Sequence, residues 1–536
     1  VNVFTNNTSD VADRVYDVAV IGGGLSGLAT AARLQAAGLG TLVLEAHAFP
    51  GGCSGFYRRS GFAFDVGATT LVDFEPGGVG GELLDTIGMP ALEGEALPGY
   101  VAWLPDRMVT LHRHPGLWAR ERLQAFGHSP AHRDFWARCD RIAEVFWGAS
   151  RRGLKLPIRT PADAWRAVRT IGLRHLPLAR HMNRTVQDVL DACGLRADRA
   201  LTALLAMLIE DTVHSTLDRA PFINGALGLT IRGAGLTRAR GGMYGFWRRF
   251  LANYRRLGGE LRVGTAATAI RGREGAFAID TPRGPFRARL IVSAMPAALT
   301  AAIGPLEVRH ALAPYLQRDR NALGGAMAVF LGVPECEVTG QRLTHHQLLH
   351  SYDMPLGNGN NMFISVSAPG DVESAPPGHR AVMISTHCEL APWHGLMPED
   401  YERKKAEAGA HLVALARRVY PTLGSAAVVH EVATPRTYER FTRRPLGAVG
   451  GVRLSVTNAN QHAIPHDIGC DGFWLCGDTT WPGLGTVACV LGSRIVANAV
   501  IDRARATARH RVAVSASAET TINEPTTRAA FRSTWV

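Results

Sequence analysis

Six consecutive residues, Gly22-Gly23-Gly24-Leu25-Ser26-Gly27, carry the G-x-G-x-x-G spacing that suits a pyrophosphate. The first glycine permits a tight turn, the second lets the backbone approach the phosphates, and the third lets a helix lie close to a strand. N–H groups at the helix start, at Leu25 and Ser26, then face the phosphate charge. Glu45, with Ala46 beside it, stands 18 residues beyond Gly27, where a carboxylate closing the next strand can accept hydrogen bonds from a ribose 2′-hydroxyl. This chemistry is dinucleotide binding, and it fits NAD and FAD equally. A bare glycine triplet also serves ordinary turns, so the flanking elements must decide.

Those elements are present. Tyr16-Asp17-Val18-Ala19-Val20-Ile21 is a short apolar, partly β-branched run, as expected of a strand buried on both faces of a parallel sheet. Residues 25–37 read as a helix with small side chains at Gly27, Ala31 and Ala32, stopped by Gly38. Thr41-Leu42-Val43-Leu44-Glu45 is the second strand of a βαβ unit. Helical spacing dominates residues 91–232, with Trp103, Trp118, Trp136, Trp147 and Trp165 among many arginines. Beyond it the pattern predicts a helix over 242–257, a strand over 260–270, a hairpin and strand over 276–293, several strands within 326–386, a strand over 472–476 and a last helix over 486–500. The fold class expected is α/β: a discontinuous Rossmann-like dinucleotide-binding domain from residues 14–90, 233–300 and 440–505, and a mixed α+β substrate domain from 91–232 and 301–439. Residues 1–13 and 507–536 read as loose tails.

A chain of 536 residues is long enough for two such cores. Its eight cysteines fall at scattered spacings with no Cys-x-x-Cys pair, which argues against a zinc or iron–sulfur site and predicts no metal. They read as reduced thiols of a cytoplasmic protein. No signal-like opening and no run of about 18 apolar residues is present, so the expected protein is soluble or peripheral to a membrane. The formal charge of +12 suits a polyanion, either nucleic acid or an anionic membrane surface. The basic residues form no nucleic-acid-binding motif, so no nucleic-acid partner is expected.

Two further stretches choose between NAD and FAD by resemblance. Pro50-Gly51-Gly52-Cys53-Ser54 with Gly61-Phe62-Ala63-Phe64-Asp65-Val66-Gly67-Ala68-Thr69, and Leu475-Cys476-Gly477-Asp478-Thr479-Thr480-Trp481-Pro482-Gly483-Leu484-Gly485-Thr486-Val487, resemble motifs of the amine oxidase and phytoene desaturase flavoprotein superfamily. The resemblance implies FAD, with Gly51, Gly52, Gly67 and Thr69 in one part of the cradle and Gly477, Asp478, Gly485, Thr486 and Val487 in another. In that superfamily the Gly-Asp pair meets the ribityl and phosphate portion and the following helix aims its N-terminus at the isoalloxazine, where it favours the negative charge of reduction. Ala267, in the strand expected over 260–270, resembles the position whose backbone meets adenine. Asp478 has an alternative reading as a helix-capping acid. Cys53 reads as a small buried hydrophobe rather than a redox or covalent flavin ligand.

The branch is narrowed by Asp65-Val66-Gly67-Ala68-Thr69 with Phe74-Glu75-Pro76-Gly77-Gly78, by Thr434-Pro435-Arg436-Thr437-Tyr438-Glu439-Arg440-Phe441-Thr442-Arg443-Arg444-Pro445-Leu446-Gly447, and by the run from His345-His346-Gln347 to His387. These resemble the carotenoid desaturases and isomerases, and bacterial C-3′,4′ carotenoid desaturases among them. The resemblance implies an oxidoreductase that introduces a carbon–carbon double bond into a carotenoid or similar hydrophobic polyene. A flavin-dependent isomerase or saturase of the same fold is one alternative, and an amine oxidase is another. Trp481 stands where these enzymes commonly have His, and Thr486-Val487-Ala488 replaces a Val-Pro-containing turn, so substrate identity is where the chain departs. No residue is nominated as a catalytic base; His345, His346, His387 and His394 read as structural or surface groups. Because a carotenoid resides in the bilayer, docking on an anionic membrane surface is expected through residues 151–184. There Arg151, Arg152, Lys155, Arg159, Arg166, Arg169, Arg174, Arg180 and Arg184 are opposed by one acid, Asp163, among Trp165, Val168, Ile171, Leu173, Leu176 and Leu178.

Overall fold

The computed structural model describes the backbone of residues 14–522 and the side chains of residues 14–509. The sequence expectations for residues 1–13 and 523–536 lie outside the described residues.

Strand β1 (Val15–Ile21) runs through the middle of a seven-stranded sheet. Val18, Ala19 and Val20 have no exposure, which explains why the strand shows a continuous apolar run and no polar alternation. Helix α1 (Leu25–Ala36) follows, with Leu28, Ala29, Ala31 and Ala32 fully buried, and β2 (Thr41–Leu44) returns parallel to β1. On the other side of β1 lies the parallel strand Phe286–Ser293, which in turn pairs in parallel with Phe473–Leu475. Glu260–Arg262 extends the parallel array beyond β2, and the antiparallel hairpin of Ala269–Arg273 and Ala276–Asp280 attaches to the first half of Phe286–Ser293. Segments hundreds of residues apart are therefore neighbours in one sheet.

A second seven-stranded sheet has the order Val429–Ala433, Gly325–Pro334, His379–Cys388, Asn361–Val366, His345–Leu349, Gly99–Trp103, Met108–His112. Its neighbours are antiparallel except for His345–Leu349 with Gly99–Trp103. Helix Pro398–Ala416 covers part of one face through Leu412, Val413 and Ala416. Helices between Pro115 and Leu229 pack into the largest core, which they share with α1 and with the helix that starts at Thr486.

Four expectations need correction. Residues 91–232 begin with strands, not helices: Gly94–Ala96, Gly99–Trp103 and Met108–His112. The alternation in the last two, with Val109 and Leu111 buried between more exposed neighbours, has strand period, and Trp103 lies on a strand. The strand expected over 260–270 is two strands, because the chain turns at Gly264 with φ of +60°. Ala267 consequently sits in the connection between them and not in a strand. The last helix, expected to stop at residue 500 before a loose tail, runs over Thr486–Ile522, since no glycine or proline interrupts residues 493–522.

Candidate active site at the strand ends

Ile21, Ser293 and Leu475 close three adjacent parallel strands in register. The chain leaves each strand at the same edge of the sheet, so Gly22, Ala294 and Gly477 are brought together there. The Ala294 N–H donates to the Ile21 carbonyl at 2.8 Å and the Cys476 N–H to the Ser293 carbonyl at 2.9 Å, which holds the three exits side by side. Ligands of open parallel sheets bind at such carboxyl ends. The glycines are required by this crowding. A Cβ on Gly27 would lie 2.1 Å from the Gly22 carbonyl oxygen and 2.9 Å from the Ala294 Cβ, and Gly22 itself has φ of +109°. Gly24, by contrast, faces open space: its nearest neighbour to an added Cβ is the Gly51 carbonyl oxygen at 4.0 Å.

The N–H of Gly51 donates to the Gly23 carbonyl at 2.8 Å, so the second glycine pair is fastened to the first. Gly51 has φ of +119°, and a Cβ there would strike the Gly55 Cα and the Trp247 indole nitrogen. Gly52 follows it on the exposed side. Glu45 stands just past β2, with one carboxylate oxygen accepting the Gly23 N–H and the other the His47 N–H, both at 2.7 Å. Burial pushes its carboxyl above the usual range despite those two bonds. A carboxylate has about four acceptor positions, so two further donors can still be met. Ala46 follows it, half-buried, and Ala267 lies two residues after Thr265, whose N–H donates to the Glu45 carbonyl at 2.8 Å.

Gly67 packs so closely on the Cys53 carbonyl that a Cβ would lie 2.3 Å from it, and burial pushes the Cys53 thiol up, as for a protonated, unreactive cysteine. Thr69 contacts His345 of the second sheet, Oγ1 to Nε2 at 3.4 Å, and so joins the glycine-rich stretch to that sheet. Asp65 of the same stretch turns inward, where it accepts the Met243 N–H at 2.7 Å and faces Arg238 at 3.4 Å.

Asp478 does not cap the final helix, which begins eight residues later. It pairs with Arg444 at 2.7 Å, with both side chains largely shielded. Thr486 opens that helix and accepts the Val72 N–H at 3.0 Å through its hydroxyl, while Gly485 before it has φ of +102° and nothing near an added Cβ. Val487 is half-buried at the same helix start. Gly22, Gly24, Gly52, Gly67, Gly477 and Gly485 all remain partly or fully exposed. A bare backbone surface edged by a helix N-terminus on either side fits the pyrophosphate and the ring of a flavin dinucleotide.

Arg444 was not singled out as a site residue from sequence. Neither was a pair of acids that a helix presses against the second sheet. Helix Arg199–Val213 carries Glu210-Asp211 in its last turn after an apolar run, and two adjacent acids there are the signal that was available. Asp211 accepts from the Gln347 amide at 2.9 Å, and burial pushes its carboxyl up. Glu210 accepts from the Asn361 amide and faces His387 at 3.7 Å. Burial would raise the Glu210 carboxyl, yet His387 and Asn361 hold it below its ordinary value; burial would lower His387, yet Glu210 holds it above. Asp211, Gln347, Phe363, Thr386 and His387 line a cavity of about 40 Å³. That is room for a water molecule and not for a polyene. His345 stacks on Tyr100 at 5.1 Å, His346 bonds Tyr420 at 2.9 Å, and His394 reaches the Leu446 carbonyl at 3.0 Å near the surface.

A family model described as an NAD(P)-binding Rossmann-like domain matches residues 20–87. Over 506 residues the chain is 25% identical to prolycopene isomerase 1, chloroplastic, of an Oncidium hybrid cultivar, a match covering 90% of this chain and 84% of that protein. It is 45% identical over 86 residues to the phytoene desaturase (lycopene-forming) of Pantoea ananas, 16% of each chain. Among solved structures it is similar in fold to cyclohexylamine oxidase from Brevibacterium oxydans, with a TM-score of 0.56 at 15% identity, across 92% of this chain and 100% of the other. The architecture is a mixed α/β one with a Rossmann-like domain, consistent with the desaturase and isomerase superfamily.

Proposed function

We propose that this chain is an FAD-dependent oxidoreductase that modifies a carotenoid or similar polyene, introducing a carbon–carbon double bond into it. The observation that carries the reading is the convergence of Gly22, Ala294 and Gly477 at the ends of three adjacent strands, backed by likeness to a prolycopene isomerase over nine-tenths of the chain. In this reading the N–H groups at Leu25 and Ser26, with Gly22, Gly24, Gly27, Gly51 and Gly52, meet the pyrophosphate, Glu45 and Ala46 the ribose, and Ala267 the adenine. Gly67, Thr69, Gly477, Asp478, Gly485, Thr486 and Val487 hold the ribityl and ring portion. Arg444 orients Asp478, and Thr486 ties the helix start to residues 70–72. A bound flavin would supply a two-electron acceptor for a hydride drawn from an allylic C–H.

Isomerisation is the second reading, favoured by the names of the relatives that match along the chain, whereas the desaturase matches are confined to short stretches. The amine oxidase reading has only the shared fold behind it. The test is mass analysis of pigments from a carotenoid-producing host with and without the chain, together with anaerobic incubation of the FAD-loaded protein. Desaturation gives a product lighter by two hydrogens and loss of the yellow flavin absorbance. A product of unchanged mass, formed only after pre-reduction, replaces it with isomerisation. No new pigment and no bound FAD sinks both.

A further inference from the structure

Among the described residues no helix is long and apolar enough to cross a membrane, yet one surface combines exposed apolar side chains with uncompensated positive charge. Helix Pro161–Ile171 is followed directly by the 3-10 segment Leu173–His181. The helix turns Asp163, Ala167 and Thr170 inward, and Ile171, Leu178 and Met182 pack against the main core, so the strap is anchored from beneath. Its outer side carries Trp165 at 70% exposure, Leu173 at 72% and Leu176 at 41%. All three fall within residues 165–176, and exposed apolar side chains gathered on one segment are the kind of surface used for interaction.

Between and beside them stand Arg166, Arg169, Arg174, Arg180 and Arg184, all exposed, and none forms an ion pair among the described residues. The one acid of the stretch is spent: Asp163 is buried, bonds Lys155 at 3.0 Å and completes the capping box with Thr160. Arg151, Arg152 and Arg159 are also engaged, the first with buried Asp73 at 2.7 Å, the second with the Thr170 carbonyl at 2.9 Å and the third with the Asp467 carbonyl. The free charge is therefore confined to residues beyond Thr160.

We propose that the outer face of residues 161–184 docks on an anionic lipid surface, with Trp165, Leu173 and Leu176 entering the headgroup and acyl boundary and the five arginines pairing with lipid phosphates. A polyanion without an apolar layer would match the arginines and leave the three apolar side chains in water, so a membrane is favoured over RNA or an acidic protein. The inference rests on the proposed function only for why an enzyme would need a lipid. Vesicle binding is measured without any carotenoid, so either idea can fail alone.

The experiment is co-sedimentation of the full chain with vesicles of phosphatidylcholine containing phosphatidylglycerol, and with phosphatidylcholine alone. Binding is expected only to the anionic vesicles, weakening with salt. The variant carrying Gln at Arg166, Arg169, Arg174, Arg180 and Arg184 should bind ~10-fold or more weakly, because each basic group near such a surface contributes separately. A control with Gln at Arg273, Arg283 and Arg287 should bind as the unaltered chain does. Brominated lipid should quench fluorescence of the parent protein, and Trp165→Phe should lose that quenching while melting normally. Equal binding to both vesicles, loss of binding in the control, quenching retained in Trp165→Phe, or arginine-dependent capture of RNA without vesicle binding would overturn the proposal.

Discussion

Replacing Gly27 by Ala tests the cradle at its tightest point. The new Cβ would be placed 2.1 Å from the Gly22 carbonyl oxygen and 2.9 Å from the Ala294 Cβ. Neither is the far end of a flexible side chain, so α1 must move away from the strand ends. Overpacking of this kind costs about 1–3 kcal/mol. The displaced groups are the helix start and the first glycine, which are the groups assigned to the pyrophosphate, so the same loss should appear in cofactor binding as a factor of roughly 5 to 150 in Kd. The assay is titration of the flavin-free protein with FAD, alongside thermal melting. Gly40→Ala is the control, since a Cβ there would meet only the Asp17 carboxylate at 3.4 Å. A folded Gly27→Ala protein with the parent's affinity for FAD would refute the reasoning, because the clash would then have been relieved without moving any group that touches phosphate.

Glu45→Ala should weaken FAD binding by about 1–3 kcal/mol, the scale of a hydrogen bond to a charged group, as read by the same titration. Asp478→Asn leaves the shielded Arg444 guanidinium without its countercharge and should lower unfolding free energy by about 3–5 kcal/mol in urea. The double variant Arg444→Met with Asp478→Leu should recover most of that loss, and no recovery would mean the pair is not the cause. Burial holds His346 and His466 down to about 4, so the folded state keeps them neutral where the unfolded chain is protonated. Their contribution is intact above pH ~6.5 and fades as pH falls toward 4, by about 3 kcal/mol each at the lower limit. Melting across that window should show a steep acid limb, made shallower by His466→Gln; an unchanged limb in the variant removes His466 from the account.

The βαβ unit was legible because its requirements are local: a buried strand needs an apolar run, and the Gly22–Gly27 contact forbids a side chain whatever lies elsewhere. The strands of the second sheet between residues 325 and 388 were legible for the same reason. Residues 94–112 were misjudged because Trp103 stands half-buried at the end of a short strand, where a run of tryptophans and arginines downstream masks the period of two. Ala267 was placed in a strand because one glycine, Gly264, was not weighted as a break.

Partners of charges were the least legible part, because they are set by contacts between distant segments. Asp478 finds Arg444, 34 residues away, and Asp211 finds Gln347, 136 residues away, only once the chain is folded. The basic stretch makes the point quantitatively. Counting along the sequence credits residues 151–184 with nine cations against one acid, and places the surface charge anywhere within them. In the fold Arg151, Arg152, Lys155 and Arg159 are each committed to a buried carboxylate or a backbone acceptor of the protein itself. Any electrostatic contact with an anionic surface must then be made by the arginines beyond Thr160. Neutralising Arg151 should lower stability through Asp73, whereas neutralising Arg166 or Arg169 should change stability little, and this difference separates a structural cation from one available to a partner.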